Sequence, residues 1–217
     1  MATESTVSDR TPAASRAMRN VAGGVVMVSG LVAVVMGPST VWLVRDQLHI
    51  NCSMGQPGSE GADTWMCSDG IGYLGVAVVL GLMWFLAIVL GTLVAMLVRR
   101  DRAARLLLVL LAGASTVWIL AWTWYGSSAL VYDDYAPMTG QEYWVVAVGP
   151  AAVAGILGLA AGLVSTVLSG PLSQIAGIVA VVGLTIATVL QPGLSINTIP
   201  AVGLLAATAL RGRASLR

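Results

Sequence analysis

A long stretch near the carboxyl end of the chain carries no charged side chain. From Tyr143 to Leu210 no side chain is acidic or basic. A soluble domain that contained such a stretch would expose large apolar areas to water, whereas the core of a bilayer accepts it. The whole chain agrees, because 57% of its 217 residues are hydrophobic and only 10% are charged. The sequence therefore predicts an all-α integral membrane protein.

Apolar runs of helical length predict six transmembrane spans. About 20 residues are needed to cross ~30 Å of hydrocarbon at ~1.5 Å per residue. The motifs "LSGPLS" and "QPGLSIN" divide the uncharged stretch, since Pro, Gly, Ser and Asn interrupt helices. The last run is marginal in length, and the first is too long for a cleaved signal peptide. The predicted spans are 21–44, 71–98, 106–125, 143–168, 172–190 and 194–210.

Outside these spans the sequence predicts tails and two polar loops. Residues 1–20 lack hydrophobic periodicity and are predicted to be a disordered tail. The transmembrane domain covers residues 21–211, and residues 212–217 form a second short tail. Long polar connections at 45–70 and 126–142 are predicted to be loops on one side of the membrane.

The distribution of arginine predicts on which side of the membrane the two polar loops lie. Short cytoplasmic segments carry an excess of basic residues, and all basic residues of this chain are arginines. With six spans, ten arginines and three acidic residues share one side, a charge of +7, while the two long loops carry −6. Both termini are therefore expected in the cytoplasm. The arginine-only, Ala-, Val- and Gly-rich composition suggests a GC-rich bacterial gene, so we expect a multi-pass protein of a bacterial plasma membrane.

Both cysteines of the chain lie in the first loop, in "NCSMGQPGSEGADTWMCSDG". On the oxidising side of a membrane disulfides persist, so Cys52 and Cys67 are predicted to pair. An alternative is a metal site built from His49, both cysteines and Asp69, because imidazole and thiolate suit zinc or copper. The spacing matches no metal-binding motif, which favours the disulfide.

Three glycines on the fourth span predict a close helix contact. Gly158 and Gly162 form the small-xxx-small pattern that lets two helices approach in lipid, and Gly155 extends the same face. The partner helix is expected within the chain, and a second copy of the chain is the alternative.

Two further groups are candidates for an outer interaction surface. Trp118 and Trp122 are four residues apart and so lie on one face of the third span, toward its outer end. They are expected to anchor the helix at the interface, with a groove for a hydrophobic ligand as the alternative. Asp133 and Asp134 form an acidic pair in the second loop, either solvated or available for a partner or cation.

The functional prediction follows from what the spans lack as much as from what they contain. No predicted span holds a charged residue of the kind that marks ion paths and proton relays. The sequence predicts no enzyme activity, cofactor, metal or nucleic-acid partner. We expect a non-enzymatic accessory or interaction subunit whose acidic, disulfide-pinned loops meet a membrane protein partner or a second copy. The alternative is a transporter or channel component for an uncharged or hydrophobic solute, with Gln174 and Asn197 as the polar residues nearest a path.

Overall fold

The structure is a computed structural model that describes residues 12–129 and 135–214. Within those residues it contains six helices long and apolar enough to cross a membrane, together with one short β-hairpin. The predicted all-helical bundle of six spans is confirmed at this level. We call the end of the bundle that carries the β-hairpin the hairpin end. The opposite end, where the third helix ends and the fourth begins, is called the arginine end.

Nine helices and strands and three short helical turns follow one another along the described chain. In order they are α1 (Pro12–Val35), α2 (Gly37–Trp42), a π-helical turn (Leu43–Gln47), β1 (Cys52–Met54), β2 (Trp65–Cys67), a 3-10 turn (Gly70–Tyr73), α3 (Leu74–Leu97), α4 (Asp101–Ala129), α5 (Gly140–Val167), α6 (Gly170–Leu190), a second 3-10 turn (Pro192–Leu194) and α7 (Ser195–Ala214).

The first span departs from the boundaries that the sequence suggested. Helix α1 begins at Pro12, inside the stretch expected to be a disordered tail, whose residues 1–11 lie outside the described part. It ends at Val35 instead of continuing to 44, because Pro38 has no N–H for the helix hydrogen bonds. The chain then turns into α2 and the π-helical turn. At the other terminus α7 extends to Ala214, beyond the expected end of the span.

Helix α7 is the most enclosed element of the bundle. Of its apolar window 67% is buried, against 22–39% for the other five spanning helices. Helices α1, α3, α4 and α6 all pack against it. The run that is marginal in length is therefore the central helix, and its low hydrophobicity suits a helix that faces protein more than lipid.

Small residues let the neighbouring helices approach α7 closely. A Cβ added at Gly203 would overlap the Ser29 side chain of α1, and one added at Gly91 of α3 would overlap Leu204. Because lipid supplies no hydrophobic drive between helices, such close contact is the main source of their attraction.

At the arginine end, Arg211 locks α7 to two other helices. Its side chain is 1% exposed, and its Nη2 lies 2.9 Å from the carboxylate of Asp101, at the start of α4. Nη1 donates to the carbonyls of Val94 and Ala95 at 3.3 and 3.2 Å, and Nη2 donates to that of Val98 at 2.7 Å. These carbonyls lie in the last turn of α3, where the helix no longer continues to pair them, so a cation is stabilised there; the Val94 carbonyl also accepts the Val98 N–H at 3.3 Å. The sequence suggested only a topogenic charge for this arginine.

The glycine face of α5 packs inside the chain, against α6. A Cβ at Gly158 would lie 3.0 Å from both the Ala180 carbonyl oxygen and the Leu184 amide nitrogen, closer than side chains normally come. Gly155 and Gly162 also face α6 side chains within 4 Å. In the structure this glycine face therefore lies against α6.

Replacing Gly158 with Ile is expected to destabilise the bundle, because the branched side chain must push α5 and α6 backbones apart. Overpacking of this kind costs about 1–3 kcal/mol. The matched control is Gly113→Ile in α4, where an added Cβ meets nothing within 4 Å. The measurement is the thermal unfolding midpoint in detergent. Equal midpoints for the two variants would contradict the close α5–α6 contact.

Candidate functional site

The candidate site is the polypeptide that covers the hairpin end. Strands β1 and β2 pair antiparallel, with Cys52 opposite Cys67 and Met54 opposite Trp65. The two cysteines form a disulfide with a Cα–Cα distance of 4.0 Å, which confirms the predicted pairing. A hairpin of two three-residue strands is marginal alone, so this covalent bond holds its register. We call residues 48–73, which include the hairpin, the cap.

A stack of three rings joins the cap to the bundle. The His49 imidazole lies parallel to the Trp65 indole with centroids 4.0 Å apart, and the Tyr143 ring meets His49 edge-on at 4.8 Å. Tyr143 belongs to the first turn of α5, so the stack connects the first loop with a helix far along the chain. Aromatic contacts of this geometry add about 0.5–1.5 kcal/mol beyond area burial.

Buried contacts fix the base of the cap. Ile50 is fully buried, and the Tyr73 hydroxyl donates to its carbonyl oxygen at 3.0 Å. The Ile50 side chain also contacts α4, where a Cβ added at Gly126 would lie 2.9 Å from it. Asn51 Nδ2 donates to the Gly72 carbonyl at 3.2 Å. The cap is thus held by a disulfide, a ring stack and a buried aliphatic anchor.

The outer surface of the cap combines carboxylates with apolar side chains. Glu60, Asp63 and Asp69 are exposed. Met66 and Ile71 are exposed by 56% and 75%, although both are apolar. With Asp46 just before the cap and Glu142 beside it, five carboxylates stand against one arginine, Arg45, a net charge of −4. The arrangement can recognise a partner that offers both positive charge and apolar area.

The other proposed surface residues lie apart from the cap or outside the description. Asp133 and Asp134 fall in residues 130–134, which the structure does not describe. Trp118 is 42% exposed, and its indole N–H donates to the Val79 carbonyl of α3 at 3.1 Å. Trp122 packs partly buried against the core at the hairpin end. Both tryptophans thus contact the bundle itself.

Sequence reasoning missed two residues that organise this end. The first is Tyr143, which no spacing rule connects with the first loop. Gln191 precedes α7; its Nε2 donates to Gln47 Oε1 and the Ala147 carbonyl, both at 2.8 Å, and its Oε1 accepts from Gly193 N at 3.2 Å. A Gln between two apolar runs was the available signal, because a buried amide requires partners.

The capping of α5 was also readable in principle. Thr139 accepts a hydrogen bond from the Glu142 backbone, and Glu142 accepts one from the Thr139 backbone at 2.7 Å. The spacing Thr-x-x-Glu is the signature of this capping box. It fixes the first turn of α5 and with it the position of Tyr143.

The alternative metal site does not fit this geometry. In a disulfide neither sulfur is available as a thiolate ligand. In the described part of the chain no group of three or more His, Cys, Asp or Glu side chains could hold an ion.

Comparison with known protein families, curated proteins and solved structures finds no match. The geometry at the hairpin end is that of a loop surface held by a disulfide and a ring stack.

The ring stack is expected to make the cap sensitive to acid. Burial lowers the pKa of His49 below its usual 6.5, although nearby Asp46 acts in the opposite direction. The folded cap then binds a proton less tightly than the unfolded chain, so its stability is full above pH 6.5 and falls as the pH drops through and below that value.

The expected result is a thermal midpoint that decreases between pH 7.5 and pH 5.5. The matched variant His49→Phe keeps an aromatic ring in the stack but cannot titrate, so its midpoint should decrease less. An equal decrease in both proteins would show that His49 does not couple the cap to pH.

Proposed function

We propose that the protein is a non-enzymatic multi-pass membrane protein that serves as an accessory or interaction subunit, with the cap as its docking surface. The observation that carries this proposal is the combination of a rigidly held cap with exposed Met66 and Ile71 among carboxylates. Met66 lies in the hairpin and Ile71 at the start of the second candidate span, and exposed apolar side chains next to carboxylates favour an interaction role.

The rigidity of the cap supports docking because ordering a flexible loop on binding costs affinity. Each immobilised side chain costs about 0.5–1.5 kcal/mol, and a loop that is already ordered avoids most of that cost. The disulfide and the His49–Trp65–Tyr143 stack hold the cap in one arrangement before any partner arrives.

The charge of the cap selects the class of partner. A net charge of −4 around the apolar residues favours a basic segment, and complementary charge raises the rate and the specificity of association. The proposed partner is therefore another membrane protein that presents a loop rich in Lys or Arg, with an apolar residue at its centre, on the same side of the membrane as the cap.

The cap is proposed to face away from the cytoplasm of a bacterial plasma membrane. Two observations support this orientation: the arginine-rich segments gather at the opposite end, as the positive-inside rule requires, and the disulfide suits an oxidising compartment.

A carrier of a small apolar solute is the second candidate, favoured by one pocket. A mostly apolar pocket of about 170 Å³ lies between α2, α3 and α7, lined by Val41, Val76, Leu80 and Ile196 among others. An apolar cavity of about this size holds a benzene-sized molecule. Thr40 also lines the pocket, and its hydroxyl has no hydrogen-bond partner among the described residues. This candidate ranks second because the acidic cap has no part in it.

Docking is tested by photo-crosslinking from position 66 in intact membranes. Wild type is compared with a Glu60→Gln, Asp63→Asn double variant, which keeps side-chain size while removing two charges. Exposed ion pairs contribute about 0.2–1 kcal/mol each, so loss of two pairs should lower the yield of the crosslinked partner about two- to thirtyfold. The matched control is Arg99→Gln, Arg100→Gln, which changes two exposed charges at the arginine end.

The proposal requires that the crosslinked peptide be basic and belong to another membrane protein. A crosslink that joins two copies of this chain, a neutral or acidic peptide, or a yield unchanged in the cap variant would contradict it. A yield reduced equally in the control variant would contradict it as well.

A further inference from the structure

A polar cavity of about 420 Å³ lies at the arginine end, far from the cap. The start of α4, the short connection between α5 and α6, and the end of α7 enclose it. Its lining includes two basic side chains, Arg102 and Arg105, and the hydroxyl-bearing Ser169 and Ser173. Since a water molecule occupies about 30 Å³ of liquid, the cavity has room for a polar group of considerable size.

The guanidinium of Arg105 is held in place by the protein and still has donors to offer. Its Nη2 donates to the Ser165 carbonyl and, at 2.7 Å, to the hydroxyl of Ser173, which is 7% exposed. Nε has no partner among the described residues. Arginine carries five N–H donors in a rigid fork that matches the oxygen atoms of phosphate.

The charge of the cavity is positive because its one carboxylate is already paired. Asp101 lines the cavity, but its Oδ1 accepts a hydrogen bond from Arg211 Nε at 3.1 Å and forms an ion pair with Arg211 Nη2 at 2.9 Å. Arg102 is exposed and Arg105 lies deeper, where Asp101 also acts on its charge, so with Arg211 three guanidinium groups surround this single carboxylate.

The beginning of α6 adds a second attraction for an anion. Ser169 is the N-cap of this helix, yet its side chain accepts no capping hydrogen bond. Gly170, with φ of +68°, makes the sharp turn that brings the helix start to the cavity wall. Backbone N–H groups and the helix dipole at such a terminus favour negative charge.

We propose that this cavity binds a phosphate group, with Arg102 and Arg105 as its cationic ligands and the start of α6 as a further donor. The cavity lies where spanning helices end, at the level of lipid headgroups. The phosphate belongs either to a phospholipid headgroup or to a soluble phosphate compound, since both present the same oxygen atoms. The proposal is independent of the cap and of its partner.

The experiment uses the full chain in a sugar-based detergent that contains no phosphate. The thermal unfolding midpoint is followed as each probe is added, since a ligand that binds only the folded protein raises it. The probes are phosphatidylglycerol, diacylglycerol with the same acyl chains and no phosphate, and inorganic pyrophosphate.

Substitutions then locate the binding. Arg102→Gln alters an exposed side chain and is expected to fold, and it should weaken binding about tenfold, as loss of a charged hydrogen bond does. Arg105→Lys keeps the charge but loses the fork and should also weaken binding. Arg99→Gln is the matched control, because Arg99 is exposed at the same end but is not among the residues that line the cavity.

If only phosphatidylglycerol raises the midpoint, the ligand is a lipid headgroup. If only pyrophosphate raises it, the ligand is a soluble phosphate compound. If both raise it, the cavity recognises the phosphate group itself. The proposal is overturned if neither phosphate probe raises the midpoint or if diacylglycerol acts as strongly as phosphatidylglycerol. It is equally overturned if Arg99→Gln weakens binding as much as Arg102→Gln.

Discussion

The burial of α7 against four other helices is the constraint on which the rest of the bundle depends. Because the lipid chains are as apolar as the side chains, helices associate in a bilayer through close packing and internal hydrogen bonds. Gly203 and Gly91 permit that closeness on two sides of α7. Polar groups along α7 are buried with it, including Ser195 and Thr198, and Ser115 of α4 donates a hydrogen bond to the Asn197 carbonyl.

Both proposed surfaces are positioned by the ends of this central helix. At the arginine end Arg211 joins α7 to Asp101 and to the last carbonyls of α3, and the same pairing offsets the one carboxylate beside Arg102 and Arg105. At the hairpin end Gln191 fixes the turn into α7 and reaches Gln47, just before the cap. The Asn197 amide has no partner among the described residues, and a buried polar group inside a membrane bundle is costly enough to suggest a role in function.

The number of spans and the disulfide could be predicted from sequence because each depends on local information. Apolar run length decides whether a helix can cross, and two cysteines with no competitor can pair only with each other. The central place of α7 could not be predicted in this way. Its small and polar residues give it the lowest hydropathy of the six spans, and the same residues allow it to be buried among the other helices. Arg211 illustrates the same limit, since its charge predicted a side of the membrane while its burial depends on the ends of α3 and α4. The contact between Trp65 and Tyr143 joins positions that no periodicity connects.

The most direct test of this account is the location of the chain's carboxyl terminus relative to the cap. Paired reporters, one active only in the cytoplasm and one only in the periplasm, would be fused after residue 217 and, in separate proteins, inserted in the hairpin loop at Gly58, which is exposed. If α7 crosses the membrane as the sixth span, the cytoplasmic reporter is active when fused after residue 217. The periplasmic reporter is then active when inserted at Gly58. Periplasmic activity at both positions would show that α7 does not cross, and the bundle described above would be wrong.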